Sequence, residues 1–386
     1  MNDGWFAVDH GRVAAMGHRA PADRVREVDL GDVAVLPGLV NAHTHLELSH
    51  LRDAVPPAAD FVSWVRGVIA ARRQGPSPRA PEVLAAIDDA IGEVTASGTA
   101  IVGDVGNSLA TWEPLGRSHL AAVVFHEIIR FSAPDPEAVV EQARREIEAL
   151  APTERVRMSL AAHAPYSVAP LVFRALRRAV DRAPFAPCSV HLSESVEEVE
   201  FIQSGRGPMR ALLEELGSWD PAWVPPGGTP VQFLDDSGFL DAGVLAVHGV
   251  QMTNSDLERL AARGTSIVTC PRSNGWTGAG VPPIDAFYRS GVRVAVGTDS
   301  LASAPDLNLF AELAAMRAIA PRVPASALLD SATRQGARAL AYDGDYGTIE
   351  PGKSARLIAV AVPPGTTDVE EYLVGGIQPE QVRWVE

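Results

Sequence analysis

The stretch Val33–Ser49, VAVLPGLVNAHTHLELS, decides the fold. It opens on an apolar, β-branched run and closes on His43-x-His45, as a strand buried on both faces would if it delivered two imidazoles at its C-terminal end. Seven similar runs follow, at 98–105 (GTAIVGDV), 120–128 (LAAVVFHEI), 156–163 (VRMSLAAH), 188–193 (CSVHLS), 244–250 (VLAVHGV), 265–270 (TSIVTC) and 292–299 (VRVAVGTD). Segments of helical period separate most of them, among them PEVLAAIDDAIGEVTAS, PEAVVEQARREIEAL, PLVFRALRRAVD and NSDLERLAARG. In the last, Asn254 or Ser255 is the expected N-cap and Gly264 the C-cap. Eight strands alternating with helices predict an α/β fold of the (β/α)8 TIM-barrel type. His43 and Asp299 lie 256 positions apart, so each of the seven intervals averages about 37 residues, which suits a βα unit. A doubly wound sheet would want a glycine-rich nucleotide turn, and neither GxGxxG nor GxxxxGKS/T occurs.

Outside the barrel, WFAVDHGRVAAMG near the N-terminus reads as a hairpin, and YGTIEPGKSARLIAVAV with QVRWV near the C-terminus resembles it. The expected organisation is a composite β-sandwich from residues 1–35 and 343–386 around a barrel at 36–342. The Pro/Gly-rich stretch Gly217–Pro230 is the candidate loop over the site. The 386 residues include 33 Lys and Arg against 48 Asp and Glu, a formal charge of −15. That balance disfavours nucleic acid, which wants a basic face, and anionic membranes. Two cysteines make no disulfide framework. With no run of 18 apolar residues and no basic, apolar leader in MNDGWFAVDHGRV, the reading is a cytoplasmic protein acting on a small molecule. A homodimer is left open.

His43, His45, His163, His191, His248 and Asp299 all fall at or just past predicted strand ends. One barrel polarity opens all of these onto a single face, where active sites sit. Taken alone, a His-x-His pair is as consistent with ordinary polar strand-end residues. Joined by His191 and Asp299, His43 and His45 make a good zinc or ferrous site, with three imidazoles, one carboxylate and room for water. Glu194, three residues after His191, is placed to move a proton without ligating; a helix-end carboxylate is its alternative. His248 is placed to orient the water or the developing oxyanion. His126 lacks the second histidine of HExxH, Asp104 and Asp306 read as structural, and Cys270 reads as a reduced packing residue.

In order, PGLVNAHTHLELS, HAPYSV, HLSES, AVHGV, CPRSN and GTDS resemble the amidohydrolase superfamily over essentially the whole chain. The branch is that of guanine deaminase, S-adenosylhomocysteine deaminase and the triazine chlorohydrolases. The resemblance implies metal ligands at His43, His45, His191 and Asp299. It also implies proton transfer at Glu194 and Asp299, oxygen contact at His248, and substrate contacts at His163 and Tyr166. Two-metal members carry a carboxylated lysine on the fourth strand; here that run ends AAHAP, so one divalent ion is expected, zinc before ferrous iron. Arg356 stands where the C-terminal signature usually has Asp, away from the barrel mouth. NAHTHLELS, FVSW and CPRSN most resemble the aminodeoxyfutalosine deaminases of bacterial menaquinone biosynthesis. That likeness implies that Arg272, Ser273 and Asn274 reach the substrate, Arg272 pairing with its benzoate. Glu47 and Glu127 are then contacts to ribose or base, or partners of the ligating imidazoles. A chlorohydrolase, a guanine-type deaminase and a catalytically silent barrel used for assembly are the competing readings.

Overall fold

The computed structural model describes residues 4–18, 26–151, 153–182 and 187–385. Near the N-terminus, β1 (Trp5–Asp9) and β2 (Arg12–Gly17) form an antiparallel hairpin. Its two-residue turn, His10–Gly11, has φ of 48° and 74°, the double left-handed geometry that matches strand twist. A second sheet pairs β3 (Val33–Pro37) with β12 (Leu357–Ala361), and β12 with β13 (Val382–Val385). The hairpin docks on the C-terminal segment through Val13 N–H to Lys353 O and Ala355 N–H to Gly11 O. Both ends of the chain therefore meet in small β-sheets beside the barrel.

The barrel strands are β4 (Leu39–Thr44), β5 (Thr99–Gly106), β6 (Ala121–Ile128), β7 (Val156–Ala162), β8 (Cys188–Leu192), β9 (Val244–His248), β10 (Ser266–Thr269) and β11 (Arg293–Val296). They are parallel and hydrogen-bonded in sequence order. The seam between β11 and β4 closes through a Thr44–Asp299 bridge, Asp299 N–H to His43 O, and Asn41 paired with both the hydroxyl and the N–H of Thr298. At Gly297 a Cβ would sit 2.6 Å from the His43 carbonyl oxygen, so only glycine lets the two strand ends touch. Val40, Ile101, Val123, Phe125, Val247, Val268 and their neighbours from seven strands share one core cluster. Alternate residues such as Val102 and Val124 pack outward under the helices, as sheets covered on both faces require.

Three sequence expectations shift. The run Val33–Ala42 is two strands in two sheets, because Pro37 has no N–H to continue a ladder. Next to it, Gly38 leaves no room for a side chain, its Cβ position being 2.6 Å from that of Ala100. The chain changes sheet there, and Leu36 and Pro37, placed with the barrel, pair with Ile358 and Leu357 instead. The helix Asn254–Arg263 is capped by Thr253, in a reciprocal box with Asp256, rather than by Asn254 or Ser255; its left-handed Gly264 C-cap is as expected. In Gly217–Pro230, Trp219 and Trp223 stack on Phe131 and Phe201, at centroid distances of 5.8 and 4.7 Å. Only its first residues, Gly217 and Ser218, reach the cavity at the barrel mouth. No helix is long and apolar enough to cross a membrane among the described residues.

Candidate metal centre and active site

The strand ends bring His43, His45, His191, His248 and Asp299 together. His45 and His191 stack at 5.4 Å with their Nε2 atoms 3.3 Å apart. Oδ1 of Asp299 lies 3.7 Å from His43 Nε2 and 3.6 Å from His45 Nε2. Two nitrogens on a tetrahedral zinc, at ~2.05 Å each, would be ~3.3 Å apart. The fit has a second mark: His43 is wholly buried, and neither of its ring nitrogens has a hydrogen-bond partner, a costly arrangement unless something else accepts a lone pair. Burial, with the neighbouring imidazoles, pushes His43 far below the usual histidine range and His191 down to about 3. These rings are therefore neutral, as ligands must be. Burial alone would raise Asp299, but His45, His248 and the Ser273 hydroxyl outweigh it and hold the carboxylate ionised. His191 is aimed by its Nδ1, 2.8 Å from the His163 carbonyl.

His248 and Asp299 share an unusual backbone, with φ of 75° and 61°, and so does Ser193 at 52°. Left-handed geometry at non-glycine strand ends persists only where surroundings enforce it. Ser193 is pinned from the helix that follows its own strand, and His248 and Asp299 from the segment that follows neighbouring β10. Glu198, buried in the first turn of the helix Val196–Ser204, accepts from the N–H groups of Ser193 and Glu194. Asn274 Oδ1 lies 2.8 Å from His248 Nδ1. Oδ2 of Asp299 accepts from the hydroxyls of Ser273 (2.5 Å) and Ser303 (3.0 Å). Glu194 is buried, its Oε1 3.5 Å from His248 Nε2. Burial first, then the charges of Asp299 and Glu198, push its carboxyl well above the ordinary glutamate range.

A cavity of about 400 Å³ opens from this cluster. Its inner end is lined by His45, His163, His191, Glu194, His248 and Asp299, and Glu47, Glu127 and Tyr166 also border it. Glu47 is tied to the Asn107 and Ser108 N–H groups and the Ser108 hydroxyl, and Glu127 to Asn107 Nδ2. Glu127 also keeps Oε1 unpartnered, 3.6 Å from His191 Nδ1. Arg272, Ser273 and Asn274 do not line the cavity. Arg272 makes a two-toothed pair with Asp306 (2.8 and 2.9 Å), and its Nε lies 3.7 Å from the buried Glu312. Its guanidinium is committed to protein carboxylates, so the expected contact with a substrate carboxylate is corrected. Ser273 and Asn274 face Asp299 and His248 instead of substrate.

Several lining residues escaped the sequence reading. Phe61, Trp64, Val65, Val68, Ile69 and Arg72 form one stripe of the helix Phe61–Gln74, and Met209, Leu212, Leu213 and Leu216 one stripe along the helix Pro208–Glu215 and its C-cap. Their i, i+3, i+4, i+7 spacing was legible; that the stripes face a cavity was not. Arg130, exposed at the rim, has no side-chain partner among the described residues.

A profile of the amidohydrolase family matches residues 34–380. The chain belongs to the amidohydrolase family. It is similar to the 5-methylthioadenosine/S-adenosylhomocysteine deaminase of Nitratidesulfovibrio vulgaris, with 30 % identity over 379 residues, 93 % of this chain and 79 % of the relative. It is similar also to the aminodeoxyfutalosine deaminase of Deinococcus radiodurans, with 31 % identity over 350 residues, 84 % of this chain and 78 % of that one. Among solved structures, a zinc-bound adenosine deaminase from Xanthomonas campestris superposes with a TM-score of 0.82 at 27 % identity, over 99 % of this chain and 86 % of that one. This amidohydrolase is accordingly a metal-dependent hydrolase of C–N bonds.

Proposed function

We infer that this amidohydrolase is a zinc-dependent deaminase of an adenine-type nucleoside, and that its best substrate is 6-aminodeoxyfutalosine, whose tail is an aryl carboxylate. The observation that carries the reading is the shape of the cavity: a polar catalytic end continues into an apolar slot between two helices, with Arg130, which has no side-chain partner among the described residues, at its mouth. An aryl tail buries its faces in such a slot and brings its carboxylate to the arginine. The ammonium of the S-adenosylhomocysteine tail would have to be desolvated against the apolar walls of the slot. The short methylthio group of 5-methylthioadenosine would leave the slot half filled.

His43, His45, His191 and Asp299 are the residues that would hold the ion, whose Lewis acidity makes water a nucleophile at neutral pH. Glu194, protonated through burial, gives its proton to the ring nitrogen next to the amine-bearing carbon. Asp299 Oδ1 takes a proton from the attacking water, whose oxygen bonds to that carbon. His248, through Nε2, accepts a hydrogen bond from the attacking water and orients it toward the ring carbon. Asp299 then returns its proton to the amine, the C–N bond breaks, and ammonia leaves. Glu194 recovers a proton from the new hydroxyl, which becomes the ring carbonyl. The test is ammonia release from a panel of 6-aminodeoxyfutalosine, 5-methylthioadenosine, S-adenosylhomocysteine, adenosine and guanine. The first should show the highest kcat/KM; turnover of guanine alone would overturn the reading.

A further inference from the structure

We propose that the short helical segment Pro271–Trp276 is a positioning bracket, in which Asn274 fixes the tautomer of His248 and Ser273 fixes which oxygen of Asp299 is free to act. The proposal rests on the assignment of His248 and Asp299 to the reaction, yet its readouts do not require the substrate to be right.

Ser273 and Asn274 are consecutive, fully buried residues of one turn, and each ends on a different side chain of the site. The turn is itself tied down. Arg272 N–H donates to Glu312 Oε2, the Arg272 side chain is paired with Asp306, and Asn274 N–H donates to Cys270 O. A rigid turn thus holds two residues whose left-handed backbones would otherwise relax.

At His248 the geometry selects a chemical form. Asn274 presents its carbonyl oxygen to Nδ1 at 2.8 Å, and an amide oxygen only accepts. The ring proton of neutral His248 therefore sits on Nδ1, and Nε2 faces Glu194 at 3.5 Å with a bare lone pair. The same amide leaves its Nδ2 buried without a partner, so the orientation is kept for what the oxygen does and not for a full set of hydrogen bonds. At Asp299, two hydroxyls on Oδ2 leave Oδ1 as the oxygen turned toward His43 and His45. The carboxylate is thereby restricted to one working atom.

The experiment uses the zinc-loaded enzyme without substrate, labelled with 15N in its histidine rings. Ring nitrogens with and without a proton resonate far apart, and the His248 signals are those that vanish in His248→Gln. The expected spectrum has His248 protonated on Nδ1; Asn274→Asp, which keeps an acceptor oxygen, preserves it, and Asn274→Ala loses the preference. In turnover, Asn274→Ala should lower kcat by about 10- to 100-fold, the usual effect of removing such a supporting contact, with KM little changed. Ser273→Ala should weaken zinc binding by about 10-fold in competition with a chelating dye, and Ser273→Thr should restore it. A proton on Nε2 in the unsubstituted enzyme overturns the proposal whether or not any variant folds, and so does unaltered zinc affinity in Ser273→Ala.

Discussion

At Glu194 the fold places a carboxyl between a backbone held by Glu198 and the Nε2 of His248, beside the ligand cluster but outside it. Glu194→Gln should therefore keep its zinc and lose turnover by at least about 100-fold, the lower end for general acid–base groups. His191→Ala should lose the zinc itself, and elemental analysis separates the two. Normal turnover in Glu194→Gln would remove it from the mechanism. Arg272 belongs to the same scale with the opposite expectation. Its loss removes the two-toothed partner of Asp306, a change that should destabilise by about 1–3 kcal/mol, while the ratio of kcat/KM for tailed and untailed nucleosides should stay constant in Arg272→Ala. Urea melts and paired kinetics check it. The convergence of His43, His45, His191, His248 and Asp299 could be read from the sequence because one barrel polarity brings all strand ends to a single face. The partner of Arg272 could not, because Asp306 and Glu312 lie 34 and 40 positions away and nothing local marks them.

Among the elements, the helices Phe61–Gln74 and Pro208–Glu215 define the outer slot. Trp64→Ala removes one wall. Losing part of that apolar contact, at about 25 cal/mol per Å2 of buried area, should raise KM for an aryl-tailed nucleoside roughly 10-fold and leave that for adenosine nearly unchanged. Equal effects on both would make the helix a scaffold and not a tail contact. The strand order was legible because each buried strand is a continuous apolar run. The break at Pro37–Gly38 was not, since both sides are apolar and only the approach of Ala100 shows why glycine stands there. In SESVEE the Ser-x-x-Glu spacing of a capping box was on view. The Glu198 carboxylate nonetheless reaches past Ser195 to the N–H groups of Ser193 and Glu194, a choice that tertiary geometry makes.

Over the whole molecule, three buried carboxyls besides Glu194 set a pH dependence of stability. Burial raises Asp104 and Glu198 to about 7 and Glu312 to about 8. Each binds its proton more tightly folded than unfolded, so its stabilising contribution is complete below its unfolded pKa, about 4, and is lost as pH rises through the folded value. Melting temperatures should accordingly show a component that declines between about pH 4.5 and 8. Glu312→Gln should flatten the upper part of that decline; an unchanged profile would contradict the assignment. Hydrolytic removal of an amine from a nucleoside ring is tested most directly with 18O-labelled water. Zinc-loaded enzyme and 6-aminodeoxyfutalosine should give one ammonia and one labelled carbonyl oxygen per product molecule. Unlabelled product, or no ammonia from any adenine nucleoside, would contradict it.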